Sequence, residues 1–218
     1  MASVIIVGHG PSLIGAGLGS RIDSYPIVVR MKHCMKLLEN QKDFGKRTDY
    51  MCSSTEVMVN MLPVKAKEYW CYPKRGRWNK SLEEQMKVPY VIPLELCEKW
   101  NVWFRSQKTS REHEIPNYST GMAAIIIALD RLKPNKLILA GFDSMLNPKV
   151  PYTSTLSDRS YKNQIGHDWE IENRMLKLLS EEYHCEIKDI NASQKTKGDQ
   201  GQSVVRKNEG TDQSLHVG

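Results

Sequence analysis

Ser3-Val4-Ile5-Ile6-Val7-Gly8-His9-Gly10-Pro11-Ser12-Leu13 is the stretch whose reading decides the fold. A short, unbroken apolar run followed at once by two glycines reads as a strand buried on both faces that ends in a tight turn. Glycine lacks a Cβ, so such a turn can approach a phosphate or ribose closely; the plainer reading is a tight strand-to-loop turn. Leu13 stands where a full G-x-G-x-x-G would carry its third glycine, so the dinucleotide fingerprint is incomplete. A first strand at the very start of the sequence favours a nucleotide-binding, doubly wound domain.

Outward from there, apolar runs predict strands near 3–7, 26–30, 48–53, 68–72, 89–93, 136–140 and 185–190. Helical spacing predicts helices near 34–42, 55–62, 80–87, 94–105, 120–132 and 168–183. This alternation makes an α/β fold: one Rossmann-like domain with a mostly parallel, twisted sheet flanked by helices. At 218 residues the chain suits one well-buried domain, assigned to 1–191. Within it, 144–166 is polar and rich in Ser, Thr, Asn and Pro, and reads as a mobile lid. Residues 192–218 hold few apolar side chains and read as a flexible polar tail.

A second constellation is Tyr118-Ser119-Thr120-Gly121, which opens a small, apolar helix running to Leu129 and beyond. Ser119 or Thr120 can cap that helix, and a hydroxyl-rich helix start beside a strand end is a ready anion site. The next strand, Lys136–Ala140, is followed by Gly141-Phe142-Asp143. A third is Ile165-Gly166-His167-Asp168-Trp169-Glu170-Ile171-Glu172. Its H-x4-E spacing puts His167 at a helix mouth beside a carboxylate-rich first turn. Histidine has the pKa suited to taking a proton from a hydroxyl near neutral pH.

Together these stretches resemble the sialyltransferases: Campylobacter-type bacterial enzymes and, more distantly, the animal sialyl motifs. The resemblance covers roughly residues 3–53 and 117–190 and implies a single-domain Rossmann-like glycosyltransferase fold. It implies an inverting displacement without a required metal, with His167 as general base. It also places Ser119, Thr120 and Gly121 on the nucleotide sugar, and Tyr152, with Tyr161 as a substitute, on the leaving phosphate. The glycine loop Gly8, His9, Gly10, Pro11 and Ser12 and the strand-end Asp143 are further expected nucleotide-sugar contacts, Asp143 alternatively a structural or acceptor-positioning group. Where the family carries amides at nucleotide contacts, this chain has His9, Lys32 and Ser53. A lysine there suits a diphosphate donor, so UDP- and CMP-linked sugars both stay open.

Charge adds a further reading. The formal net charge is +6, and between Lys65 and Arg111 there are eleven Lys/Arg against five Asp/Glu, with four of the five tryptophans. Trp70, Tyr72, Lys74, Arg75, Arg77, Trp78 and Lys80 interleave cations with rings, the arrangement that neutralises phosphates and stacks on exposed bases. The 65–111 segment is therefore the expected acceptor side, with Arg75, Arg77 and Trp78 as contacts. Its acceptor is a glycan or a nucleic acid, for instance a hydroxymethylated DNA base. The plain alternative is a solvated basic face, with Trp100 and Trp103 as core. Five cysteines without a C-x-x-C pair suggest neither a disulfide framework nor a zinc site. With no signal peptide or membrane-length apolar run, the expected location is cytoplasmic.

The sequence thus predicts a metal-independent, inverting glycosyltransferase with no cofactor beyond its nucleotide-sugar co-substrate. A non-catalytic nucleotide-binding domain is the remaining alternative, and the oligomeric state is left open.

Overall fold

The structure, a computed structural model, describes residues 2–31, 34–54, 65–72, 90–91, 93–107, 118–149 and 168–191. Its strands are β1 (Ser3–Val7), β2 (Ile27–Met31), β3 (Tyr50–Ser54), β4 (Glu68–Tyr72), β5 (Tyr90–Val91), β6 (Lys136–Ala140) and β7 (Glu186–Asp189). The helices are α1 (Gly19–Asp23), α2 (Cys34–Glu39), α3 (Gln41–Phe44), α4 (Leu94–Ser106), α5 (Thr120–Leu132), α6 (Asp143–Leu146) and α7 (Trp169–Glu182), with a 3-10 turn at Pro11–Leu13. Every predicted strand is found, shifted by at most two or three residues at its ends.

The strands form one sheet in the order β5-β4-β3-β2-β1-β6-β7, and every neighbouring pair is parallel. Val7 lies opposite Arg30 on one side and Ala140 on the other, so β1 is flanked by β2 and β6. The chain moves outward from β1 to β5, then returns to the other side of β1 to lay down β6 and β7. Outside the carboxyl ends of β1 and β6 lies the switch point at which such sheets take their ligands.

Alternation along the strands sorts the core into two layers. Val4, Ile6, Val29, Met31, Cys52, Trp70, Tyr72, Leu137 and Leu139 pack with α4, α5 and α7. Ile5, Val7, Val28, Ile138 and Ala140 pack on the opposite side with Leu13, Ile22, Leu37 and Phe44. Burial on both faces is why the strands read as continuous apolar runs. α5 is buried continuously from Thr120 to Leu129, which matches its apolar composition on all sides. It ends at Lys133, which is left-handed at φ 44° and precedes Pro134.

The departures are short elements. The predicted 34–42 helix is broken at Asn40 into α2 and α3, and α3 stops at Gly45, φ 71°. α1, α6 and the 3-10 turn are too brief to show a hydrophobic period. Of the 144–166 connection read as a lid, residues 150–166 lie outside the described residues, and Ser144 and Met145 are buried in α6. Asn173 of α7 fixes that turn by donating to the Met145 carbonyl at 2.9 Å. The predicted helices at 55–62 and 80–87, and the tail from 192, lie outside the described residues.

At the amino ends of β2, β3 and β4, charge is buried and paired. Asp49 accepts the Val28 N–H at 2.9 Å and pairs with Arg47 at 2.8 Å and Lys67 at 3.1 Å. Arg30, inside the sheet layer, donates to the carbonyls of Arg47 at 2.9 Å and Phe44 at 2.8 Å. Its guanidinium therefore belongs to the α3 side of the sheet.

Candidate functional site

At the switch point the turns after β1 and β6 are zipped together. The Gly8 N–H donates to the Ala140 carbonyl at 2.7 Å, and the Gly10 N–H to the Gly141 carbonyl at 2.8 Å. A Cβ on Gly8 would sit 2.4 Å from the Gly141 oxygen, and one on Gly10 would sit 2.7 Å from the same atom. The backbone approach that the two glycines permit is thus an approach to another loop. Gly141 itself is left-handed at φ 70°. Asp143 follows, and its Oδ2 accepts the Ser12 N–H at 3.0 Å, which fixes the start of the 3-10 turn.

The start of α5 joins this assembly. A Cβ on Gly121 would meet Phe142 Cε1 at 2.9 Å, so the helix presses directly against the turn after β6. Ser119 is the N-cap: its hydroxyl oxygen accepts the Met122 N–H at 3.1 Å. The same hydroxyl donates to Glu172 Oε2 at 2.7 Å, while the Ser119 N–H donates to Glu172 Oε1 at 2.8 Å. Glu172 is fully buried. α7 begins at an Asp168 cap, whose side chain accepts the Ile171 N–H at 3.0 Å. The starts of α5 and α7 are therefore in direct contact through Ser119 and Glu172, 53 residues apart in the chain.

Glu172 entered the sequence reading only as the end of H-x4-E, without a site role. The signal for more was present: Glu172 shares the apolar stripe of α7 with Leu176 and Leu179. A carboxylate on a buried stripe needs a partner, because an unpaired buried charge costs several kcal/mol, on the order of 3–5.

Other expected contacts divide as follows. His9, Thr120 and Ser53 are buried, with Ser53 near the carboxyl end of β3, and its Oγ makes no hydrogen bond among the described residues. Pro11 and Ser12 lie in the 3-10 turn, Ser12 exposed. Lys32, His167, Tyr152, Tyr161, Arg75, Arg77 and Trp78 lie outside the described residues.

The base-stacking reading loses two of its rings. Trp70 and Tyr72 are fully buried in β4, where Trp70 stacks on Tyr50 and Tyr72 on Tyr118. The sequence interleaves them with cations, but strand alternation turns both into the α5 layer, as in the plain reading of a basic face over a core. Tyr72 donates to Asn101 Oδ1 at 3.3 Å and Tyr118 to the Cys97 carbonyl at 3.1 Å. Burial pushes both phenol pKa values well up, so both stay protonated donors. Trp100 is core, edge-on to the partly buried Trp103 at 6.2 Å.

Among the described residues no group of three or more His, Cys, Asp or Glu has metal-binding geometry, and no helix is long and apolar enough to cross a membrane.

Residues 2–74 match the family model described as glycosyltransferase family 29 (sialyltransferase). The fold is similar to a crystal structure of a mammalian sialyltransferase at 18% identity and TM-score 0.53, covering 85% of this chain and 68% of that one. It is similar to a mammalian sialyltransferase in complex with Gal-beta-1-3GalNAc-ortho-nitrophenol at 16% identity and TM-score 0.52, with the same coverage. No curated protein matches the chain in sequence. The likeness to sialyltransferases is thus borne out by the family model over residues 2–74 and the α/β fold it implied by the solved structures, and together they support a glycosyltransferase; the Campylobacter-type likeness and the individual motifs rest on the sequence reading alone.

Proposed function

We propose that the chain transfers a sugar from a nucleotide-sugar donor to an acceptor hydroxyl with inversion and without a metal, His167 serving as general base. The observation that carries this reading is the Ser119–Glu172 contact. It joins the Ser119-Thr120-Gly121 helix start to the helix that follows His167 in the chain, beside the turns of β1 and β6. A nucleotide sugar at the switch point would thereby lie within one assembly with the segment that bears the base.

In this reaction His167 takes the acceptor O–H proton while the oxygen bonds the anomeric carbon from the face opposite the nucleotide. The bond from that carbon to the phosphate oxygen breaks, and the nucleotide departs with the electron pair. Lys32, Tyr152 and Tyr161 are proposed to stabilise the charge growing on that phosphate, the role a metal has elsewhere. Ser119, Thr120, Gly121 and Ser53 are proposed donor contacts. The acceptor is proposed to be a glycan, the chemistry named for a solved relative of the same fold; the buried Trp70 and Tyr72 weigh against a nucleic acid.

The test is nucleotide release from CMP- and UDP-linked sugars with a glycan panel, in excess EDTA. Turnover should persist with chelator, and His167→Ala should lower it by about 10²–10⁴-fold with donor affinity nearly unchanged. Full activity of His167→Ala, or a strict need for an added divalent cation, would overturn the mechanism.

A further inference from the structure

α7 carries two neighbouring residues that reach different elements. Glu172 takes both Ser119 donors at the start of α5. Asn173, next in the chain, donates from Nδ2 to the Met145 carbonyl at 2.9 Å and, more weakly, to the Leu146 carbonyl at 3.4 Å. Both carbonyls belong to the last turn of α6, where a helix runs out of its own donors. The backbone bonds that close α6 end at Phe142 O and Asp143 O, which the Leu146 and Asn147 N–H groups reach at 3.0 and 2.9 Å. An amide nitrogen carries two N–H bonds, so Asn173 supplies what the end of α6 lacks. α6 in turn is fixed at the switch point by its buried Ser144 and Met145 and by the Asp143 carboxylate on the Ser12 N–H.

Successive residues of an α-helix point about 100° apart. One contact is a pivot, and a second in another direction stops the swing. Ser119 holds α7 at Glu172, and the end of α6 holds it at Asn173. His167 precedes Glu172 by five residues in the chain. Over the helical rise of that many residues, about 7 Å, a swing of roughly 10° displaces a side chain by about 1 Å. A misplacement of that size can cost a reaction on the order of 10²-fold.

We infer that Asn173 is a positioning residue for the transfer: by tying α7 to the end of α6, it holds the helix start behind His167 in the orientation from which the imidazole reaches the acceptor hydroxyl. The inference rests on the glycosyltransferase reading and adds to it the group that orients the base. Among the described residues the hydrogen bonds of Asn173 go to the backbone of α6, not to the proposed donor contacts Ser53, Ser119, Thr120 or Gly121. Its effect therefore belongs to turnover and not to donor binding.

The experiment is a double-mutant cycle on the full chain, with nucleotide release as the readout. Asn173→Asp keeps the side-chain shape but sets a carboxylate against two carbonyls. It should lower kcat by about ten- to a hundredfold, with the donor KM within about twofold of wild type. In the His167→Ala background the same substitution should change the residual rate by less than about twofold, since residues that act as a unit are not additive. Asn173→Ala, which removes the donor without adding a charge, should repeat the pattern if Asn173→Asp does not fold. An unchanged kcat in the folded variants overturns the inference and leaves the glycosyltransferase reading standing. So does an equal loss in the wild-type and His167→Ala backgrounds, which marks a purely structural contact. Absence of wild-type turnover with every CMP- and UDP-linked sugar and glycan of the panel overturns both.

Discussion

Glu172 closes both of its carboxylate oxygens on one residue, Ser119, taking the backbone N–H at 2.8 Å and the hydroxyl at 2.7 Å. The pair is buried and spans 53 residues of chain, so it fixes where α7 begins relative to where α5 begins. Glu172→Ala would leave two buried donors without their acceptor, at about 1–3 kcal/mol each. Equilibrium urea unfolding should therefore show a loss of roughly 2–5 kcal/mol. Glu172→Gln should lie between, since an amide accepts one bond but sets its own N–H against the second donor. In Ser119→Ala the loss should be smaller than in Glu172→Ala, because the Ser119 N–H stays paired. Equal stability of all three with wild type would show that the contact anchors nothing.

Gly8→Ala tests the zipped turns. The added Cβ meets the Gly141 carbonyl oxygen, a backbone atom that cannot swing aside. The expected cost is about 1–3 kcal/mol, the range for overpacking a tight site. Gly15→Ala, with nothing within 4 Å of its Cβ, should cost only the strain of its positive φ. Thermal unfolding of the two variants should rank Gly8→Ala as the more damaged.

Acid sensitivity should trace to the network at Asp49. Burial pushes its pKa up, but the Val28 N–H, Lys67 and Arg47 outweigh this and hold it below the usual 3.8. A carboxylate with a lowered folded pKa adds stability that is fully present above its unfolded pKa and is lost as pH falls through the folded value. The stability difference between wild type and Asp49→Asn should be constant above about pH 5 and shrink below about pH 4. A difference that stays flat to pH 2, measured by urea unfolding, would contradict that pairing.

Thiol chemistry offers another check. Cys52, Cys71, Cys97 and Cys185 are all buried, and burial raises each pKa, Cys71 to about 12 and Cys97 to about 11. Thiolate is the reactive form, so these four should resist a disulfide reagent in the native protein. In Cys34→Ser, native titration should register almost no fast thiol, and unfolding should release all four. Rapid native labelling of any of the four would contradict its burial.

The seven strands, the buried α5 and its cap at Ser119 or Thr120 were legible in the sequence, while the Asp168 cap of α7 came from the structure. Each legible element is set by side chains within a few positions of one another: an apolar run, a helical period, or a hydroxyl one turn from the N–H it receives. The stacking reading of Trp70 and Tyr72 failed for the same reason, because their neighbours in sequence are cations while their neighbours in the sheet are Tyr50 and Tyr118.

The sequence by itself determined that Gly8 and Gly10 make a tight turn after a buried strand, since only backbone freedom and an apolar run were needed. Only the tertiary structure decided what that turn faces. Ser12 and Asp143 meet across 131 residues, and Ser119 and Glu172 across 53. Such pairings depend on the order in which parallel strands are laid down, with β6 returning to the free side of β1, and no local pattern encodes that order. Packing thus sets the glycine turn against the β6 turn and places a carboxylate at the switch point.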